Sequence, residues 1–367
     1  MAWSDSNPYR NFPWREKTLE LSKLFYDGFK LCKVKEGTTV AVNTDPRIDP
    51  SYADAAAIAL HYLGADFYTV ALPYTKTAEY SFEGATGPLM EAWRKTDMLV
   101  NFTMAFSRTV AGKELRGRPH AGKELMNWDR EESGPRILFV MSTLDTLRAL
   151  FPTKDVTNRG VKGVEMIEAA KTIRVTSASG TDLTWDKTGL PGYTQDGLVV
   201  KPGEWDNFGS GTAGTENRGV ADGTLVIDAG DAYFATDHTK VAAAPVNLTI
   251  EDGRITKIEG GCDAKFLREW FASFNDERAY EIVHIVFGTH PGARWTSRAI
   301  MEYESYYGGV LIAFGGGDVP DRRRAHPKWG AQHGNGCHID MAFRNCNFYL
   351  DGEPVIEKEK FVITELK

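Results

Sequence analysis

Two short segments of this 367-residue chain carry side chains able to hold one metal ion. One is Cys337-His338-Ile339-Asp340. The other is Val283-His284-Ile285-Val286-Phe287-Gly288. Together they offer two imidazoles and one carboxylate. That is the ligand complement of a mononuclear non-haem Fe(II) site, which leaves coordination positions open for a substrate and O₂. His338 and Asp340 are two apart, and on an extended strand residues i and i+2 point to one face. His284 lies in an apolar run, Ile282 to Phe287, that reads as a buried strand. The spacing alone also suits an ordinary hydrogen-bonded pair at a strand end and a satisfied core histidine.

The elements around these segments set the fold class. Over the first ~150 residues helix and strand signals alternate. Leu21, Leu24, Phe25 and Phe29 mark a helical face. Thr38 to Val42, Phe67 to Leu72, Met98 to Phe102 and Arg136 to Met141 read as strands, with helices at Tyr52 to Leu63 and Gly87 to Arg94. This rhythm predicts a mainly parallel sheet covered by helices. No GxGxxG follows the first strand, so no dinucleotide is implied. After Val156 the texture turns β-rich. Val164 to Ala170 is helical, and Ile173 to Val175, Leu225 to Ile227 and Val246 to Ile250 are strands. Glu251-Asp252-Gly253-Arg254 and Leu350-Asp351-Gly352-Glu353 are hairpin turns. Phe266, Leu267, Trp270, Phe271 and Phe274 form an aromatic stripe at helical spacing, a core feature. The expected fold is α/β: an N-terminal parallel-sheet domain over residues 1–155, then a β-rich α+β metal-binding domain over residues 156–367. Two Gly-rich stretches, Asn207 to Gly214 and Phe314 to Asp318, either let backbone approach a ligand or form mobile surface loops.

Composition narrows the function. A net charge of −7 with no basic face argues against nucleic acid. The dense basic run Arg322-Arg323-Arg324 reads as a solvated loop or an ion-pairing site. Four scattered cysteines without a CxxC pair argue against a disulfide framework or a structural zinc site. The N-terminus lacks a secretory pattern and no stretch reaches the ~20 apolar residues of a membrane span. The expectation is a cytoplasmic protein with no membrane partner.

The residues from His284 through Gly288, Pro291 and Arg294-Trp295-Thr296, with Cys337 to Asp340 and Arg344-Asn345-Cys346, resemble the 2,5-dihydroxypyridine 5,6-dioxygenases of nicotinic acid breakdown. Pro202 to Asp206, Gly223 to Asp228 and Ile255 to Gly261 add to the likeness, which covers most of the chain. The resemblance implies a fold similar to the aminopeptidase T metallopeptidases, a homo-oligomer, and Fe(II) held by His284, His338 and Asp340. The two-metal site of those peptidases needs five ligands. The matching positions are Thr212, His284, Leu311, His338 and Asp340. Thr212 and Leu311 cannot replace a glutamate and a histidine, so a bridged two-metal hydrolase site is not expected.

The chain also departs from the family. Where those enzymes carry a histidine after the strand matching Met98 to Phe102, Ser107 lies nearest. Where they carry a histidine after Trp-Asp, this chain has Asn207. His290 is an extra imidazole near the His284 strand and a candidate for proton transfer. Arg294 offers paired donors for a substrate carboxylate or phenolate, or else forms a structural ion pair. Ser107, Asn207, His290 and Arg294 are thus the candidate catalytic residues, and Phe106, Phe208 and Trp295 candidates to flank a ring. The activity implied is ring-opening dioxygenation of a small hydroxylated aromatic, such as a dihydroxypyridine, with O₂. The rival is a hydrolase using one zinc on the same three ligands.

Overall fold

The structure, a computed structural model, describes residues 13–72, 88–102, 118–119, 134–216, 220–235, 238–315 and 337–367. The chain forms two compact units. The first takes most of the chain up to Phe151 together with Gly197–Phe208, and the second takes Pro152–Asp196 and Gly209–Lys367.

In the first unit, five strands pair in parallel, the central ones buried and the edge strand Asp66–Ala71 largely exposed. They lie in the order Asp66–Ala71, Thr39–Thr44, Met98–Asn101, Arg136–Phe139, Glu204–Asn207, each pairing in parallel with the next. Both faces are covered, as parallel sheets require. On one face Val40, Val42, Met98 and Val100 pack with Leu21, Phe25 and Phe29 of the helix Pro13–Leu31 and with Ala55, Ala56 and Ala59 of the helix Pro50–Tyr62. On the other, Ala41, Leu99, Ile137 and Phe139 pack with Trp93.

The second unit is built on two antiparallel sheets. A seven-stranded sheet runs in the order His238–Val241, Ala232–Ala235, Ile339–Phe343, Val310–Phe314, Ile282–Gly288, Thr212–Glu216, Gly192–Gln195. An eight-stranded sheet includes Thr172–Ser177, Asp182–Asp186, Val220–Ile227, Val246–Glu251 and Cys346–Leu350. The main core joins them: Ile285, Phe287, Ile312, Phe314, Ile339 and Met341 of the first pack with Ile173, Val175, Trp185, Leu225 and Leu248 of the second. The helix Lys154–Ala169 lies close on Ala213 and Phe287, because Gly163 puts no side chain there; a Cβ would come within 2.6 Å of Ala213. Alternation along the seven-stranded sheet turns His284, Val286, Leu311, Ala313, Asp340 and Ala342 to its other face.

The two hairpins form where Asp-Gly predicts them. Asp252 and Gly253 have φ of 51° and 77°, and Asp351 and Gly352 have 49° and 88°, the paired positive values of a two-residue turn. In the helix Cys262–Ser273, Leu267 and Phe271 of the aromatic stripe are buried core. The helix expected from Val164 begins earlier, at Lys154, because Thr153 accepts from the Val156 N–H and caps it. The boundary read at 155/156 differs from the observed division. Glu204–Asn207 pairs with Arg136–Phe139, so Gly197–Phe208 returns to the first unit. Within Gly209–Thr215 every residue is buried and the strand begins at Thr212, so this stretch is interior rather than a surface loop. Gly214 is required there: a Cβ would lie 2.2 Å from the Ile285 carbonyl oxygen.

Candidate metal centre

Three adjacent strands of the second unit assemble the site. His284 lies on Ile282–Gly288 and Asp340 on Ile339–Phe343, with Val310–Phe314 between them. Ala313 is the cross-strand partner of both residues, and Phe234 pairs with Asp340 on the far side. Directly opposed residues share a face, so His284, Ala313, Asp340 and Phe234 form one row. A β-bulge at Val283 precedes it. Ile282 pairs with Phe314 in the main core, yet His284 pairs with Ala313 on the opposite face. His284 faces away from the core by alternation with Ile285 and Phe287, and the extra residue lets Ile282 rejoin the core one step before it.

His338 sits one residue before its strand and reaches the same carboxylate. The His284 Nε2 lies 3.2 Å from Asp340 Oδ1, and the His338 Nε2 lies 3.3 Å from Asp340 Oδ2. One donor atom from each of the three residues falls within 4.8 Å of the others. An ion about 2.1 Å from two donors at roughly right angles holds them about 3 Å apart. The donor set and its spacing therefore fit a first-row divalent cation. Burial alone would raise the Asp340 carboxyl, but the charge of His338 and hydrogen bonds from His284 and His338 outweigh it and hold the group well below the usual carboxylate range. The neighbouring Cys337 is fully buried and its thiol is pushed up to about 12, so it stays protonated.

Beside the row, the face is apolar. Val286, Leu311 and Ala342 occupy the next positions, and Phe234 stacks on Tyr303 with ring centroids 5.9 Å apart. Thr212 and Leu311 lie on the face that carries His284, and both are buried. They bring no second set of metal ligands to it.

The other candidate residues fall elsewhere. Ser107, Phe106 and Arg322–Arg324 lie outside the described residues. Asn207 ends the strand Glu204–Asn207 of the first-unit sheet, paired with Phe139. His290 is not at the surface but buried, and its Nδ1 accepts from the Gly292 N–H at 3.1 Å. His290 is not one of the three residues whose donor atoms cluster at the site. Arg294 clamps Glu302 through two side-chain bonds of 2.9 and 2.6 Å and a backbone bond of 2.7 Å. Its paired donors are engaged with Glu302 in an internal ion pair. Phe208 is fully buried in the first-unit core, and Trp295 packs on Tyr303 at 4.8 Å. Sequence reasoning missed Ala313. Its only signal is a small residue in the apolar run Val310–Phe314, with no ligand chemistry of its own.

Residues 20–363 match the family model of 2,5-dihydroxypyridine 5,6-dioxygenase. The chain belongs to the 2,5-dihydroxypyridine 5,6-dioxygenase family. A curated 2,5-dihydroxypyridine 5,6-dioxygenase from Pseudomonas putida is 30% identical over 349 residues, spanning 92% of this chain and 94% of that protein. A solved structure of the 2,5-dihydroxypyridine dioxygenase of Pseudomonas putida KT2440 superposes with a TM-score of 0.77 at 26% identity, covering 95% of this chain and 99% of that one. Wild-type AmpT of Thermus thermophilus superposes with a TM-score of 0.63 at 11% identity, over 94% and 99% of the two chains. That likeness is one of fold. Membership of a dioxygenase family supplies a chemical context for a three-ligand His/Asp site. No helix among the described residues is long and apolar enough to cross a membrane.

Proposed function

We propose that this chain is an Fe(II)-dependent ring-cleaving dioxygenase acting on a dihydroxypyridine with O₂, with His284, His338 and Asp340 as the metal ligands. The observation that carries the reading is the triad on a single sheet face, in a chain belonging to this dioxygenase family. Two imidazoles and one carboxylate suit Fe(II) and leave positions open for other ligands. Fe(II), when bound, supplies a route for electron density from an electron-rich ring to triplet O₂, which reacts slowly with closed-shell molecules.

The chain's own residues do the rest. Asp340 stays ionised between the imidazoles and balances the cation. Ala313 keeps the space between His284 and Asp340 open. Phe234, Leu311 and Val286 make the adjoining surface apolar and strengthen electrostatic interactions there by excluding water. The reading also places the protein in the cytoplasm as a homo-oligomer, the first supported by its thiol cysteines and the second by the family resemblance.

The test is anaerobic loading with Fe(II), then O₂ uptake with 2,5-dihydroxypyridine. Stoichiometric O₂ consumption with loss of ring absorbance is expected. Tight zinc retention with peptide hydrolysis and no O₂ uptake would overturn the reading in favour of a one-zinc hydrolase.

A further inference from the structure

One edge of the first-unit sheet is bare among the described residues. Asp66–Ala71 pairs with Thr39–Thr44 on one side and with no described strand on the other. The Asp66 N–H donates to the Thr38 carbonyl at 2.9 Å, and the Leu72 N–H donates to the Thr44 carbonyl at 2.7 Å. In a parallel pair, the N–H and C=O of alternate residues point to the same neighbour. Asp66, Tyr68, Val70 and Leu72 thus face Thr39–Thr44. Phe67, Thr69 and Ala71 turn their backbone N–H and C=O outward.

Edge strands are commonly guarded against pairing with another chain by charges, proline, bulges or a covering element. The edge strand Arg254–Gly260 of the eight-stranded sheet carries Arg254, Lys257 and Glu259. The edge strand His238–Val241 of the seven-stranded sheet carries His238 and Lys240. Asp66–Ala71 has no lysine, arginine or proline and no register shift against its neighbour. Its single charge, Asp66, stands at its first position. The surroundings are apolar. Tyr68 and Val70 pack with the Trp93 cluster on one face, and Phe67 lies on the other, 37% exposed. The helix Pro50–Tyr62, which leads into this strand and packs against it, leaves Ile58 and Tyr62 exposed, Tyr62 by 75%.

The pattern of the edge selects its occupant. The three outward residues are centred on Thr69. An identical strand turned about a twofold axis at Thr69 brings Thr69 opposite its own copy and Phe67 opposite the partner's Ala71. All three pairs are then of the hydrogen-bonded antiparallel kind, each exchanging two backbone bonds. Thr opposite Thr is a favourable cross-strand pair. Asp66 meets the partner's Leu72 rather than its own copy, so in a chain of net charge −7 the one charge of the strand is not set against itself.

We propose that Asp66–Ala71 pairs antiparallel with the same strand of a second copy of this chain, across a twofold axis at Thr69. The two first-unit sheets join into one, and Ile58, Tyr62 and Phe67 of both copies are covered beside the seam. The inference gives the proposed homo-oligomer its contact surface. It rests on that part of the reading alone and needs neither metal nor substrate.

The test is sedimentation of the full-length chain beside Thr69→Lys. The parent is expected to sediment as a dimer or a multiple of one. Thr69→Lys sets two ammonium groups face to face on the axis and should halve that mass. A second variant does not depend on disruption. Hydrogen-bonded antiparallel partners have Cα atoms about 5.5 Å apart, within the span of a disulfide. Thr69→Cys, in a Cys262→Ser background that removes the one exposed thiol, should give a covalent dimer with oxidised glutathione. Thr256→Cys, exposed on the charged edge Arg254–Gly260, should not. A monomeric parent, a folded Thr69→Lys of parental mass, or a Thr69→Cys that cross-links no better than Thr256→Cys would each overturn the proposal. An assembly that keeps its mass in Thr69→Lys is built on another face, so the homo-oligomer survives and this interface fails. No oxygen chemistry is read, so failure here is distinct from failure of the dioxygenase reading.

Discussion

His284 and Asp340 face each other across a single intervening strand, and the residue between them is Ala313. Their donor atoms are 3.2 Å apart, yet the strands that carry them are not neighbours. The gap between two alternate strands is about 10 Å, and only a small central residue leaves it open to the side chains from either side.

Ala313 should therefore behave as a gatekeeper of metal loading. In Ala313→Leu the added methyl groups occupy the space above the row. Loss of Fe(II) affinity of at least ~10-fold is expected, comparable to disrupting an outer-shell partner. Overpacking adds a stability cost of about 1–3 kcal/mol. Ala313→Gly should load metal normally. Equal Fe(II) titration curves for Ala313→Leu and the parent would show that the ion does not sit over this row.

The ligands themselves can be removed without dismantling the sheet. Asp340 and His338 contribute to the site, while the core beneath is held by Ile339, Met341 and Phe343. His338→Ala and Asp340→Asn should each lower metal affinity by more than about 100-fold, beyond the typical outer-shell effect. The circular dichroism spectrum should stay that of the parent. Metal analysis after dialysis checks this, and full iron occupancy in either variant would remove that residue from the ligand set.

Much of this was readable from the residues because it rests on local rules. The i, i+2 spacing of His338 and Asp340 puts both on one face wherever the backbone is extended. The Asp-Gly turns demand positive φ, and both hairpins formed. What stayed hidden depends on how strands meet. Alternation back from Phe287 and Ile285 turns His284 away from the core, but it would turn Ile282 away as well, and the bulge at Val283 returns Ile282 to the core. His290 is close to His284 in sequence but lies past the strand end, bridged to Tyr306 rather than grouped with the triad. The return of Gly197–Phe208 to the first sheet is a non-local pairing with Arg136–Phe139. Asn43 and Asn101 lie 58 residues apart and become partners only through strand order.

Arg294 and Glu302 test the difference between a substrate clamp and a structural pair. Glu302 is wholly buried and takes three hydrogen bonds from Arg294. Removing the guanidinium takes its charge and two hydrogen bonds from a buried carboxylate, while the backbone N–H of residue 294 still donates to it. The penalty for such a loss is about 3–5 kcal/mol, lessened here because the arginine side chain is half-exposed, so about 2–3 kcal/mol is expected for Arg294→Ala. Glu302→Gln in the same chain should restore part of it. Well below the melting temperature, KM for the ring substrate should be unchanged. A large KM increase without loss of stability would instead return Arg294 to the substrate.

Asp231 should give the stability curve a distinctive slope with pH. It is buried at the end of the Ala232–Ala235 strand, and that burial raises its carboxyl to about 6, despite hydrogen bonds from the Arg344 and Asp228 backbone N–H groups. In the unfolded chain an aspartate titrates near ~3.9. The folded protein therefore binds this proton more tightly than the unfolded one. Its stabilising contribution is present below the unfolded value and is lost as pH rises from about 4 through about 6. That gap between the folded and unfolded values is worth roughly 3 kcal/mol. Asp231→Asn mimics the protonated group but gives up one acceptor, which costs about 1 kcal/mol. The variant should thus be more stable than the parent by about 1–2 kcal/mol at pH 8. The advantage should vanish or reverse below about pH 4. Denaturant titrations of both proteins across that range check the sign. A difference that does not change with pH would mean that Asp231 is ionised at its ordinary value in the folded chain.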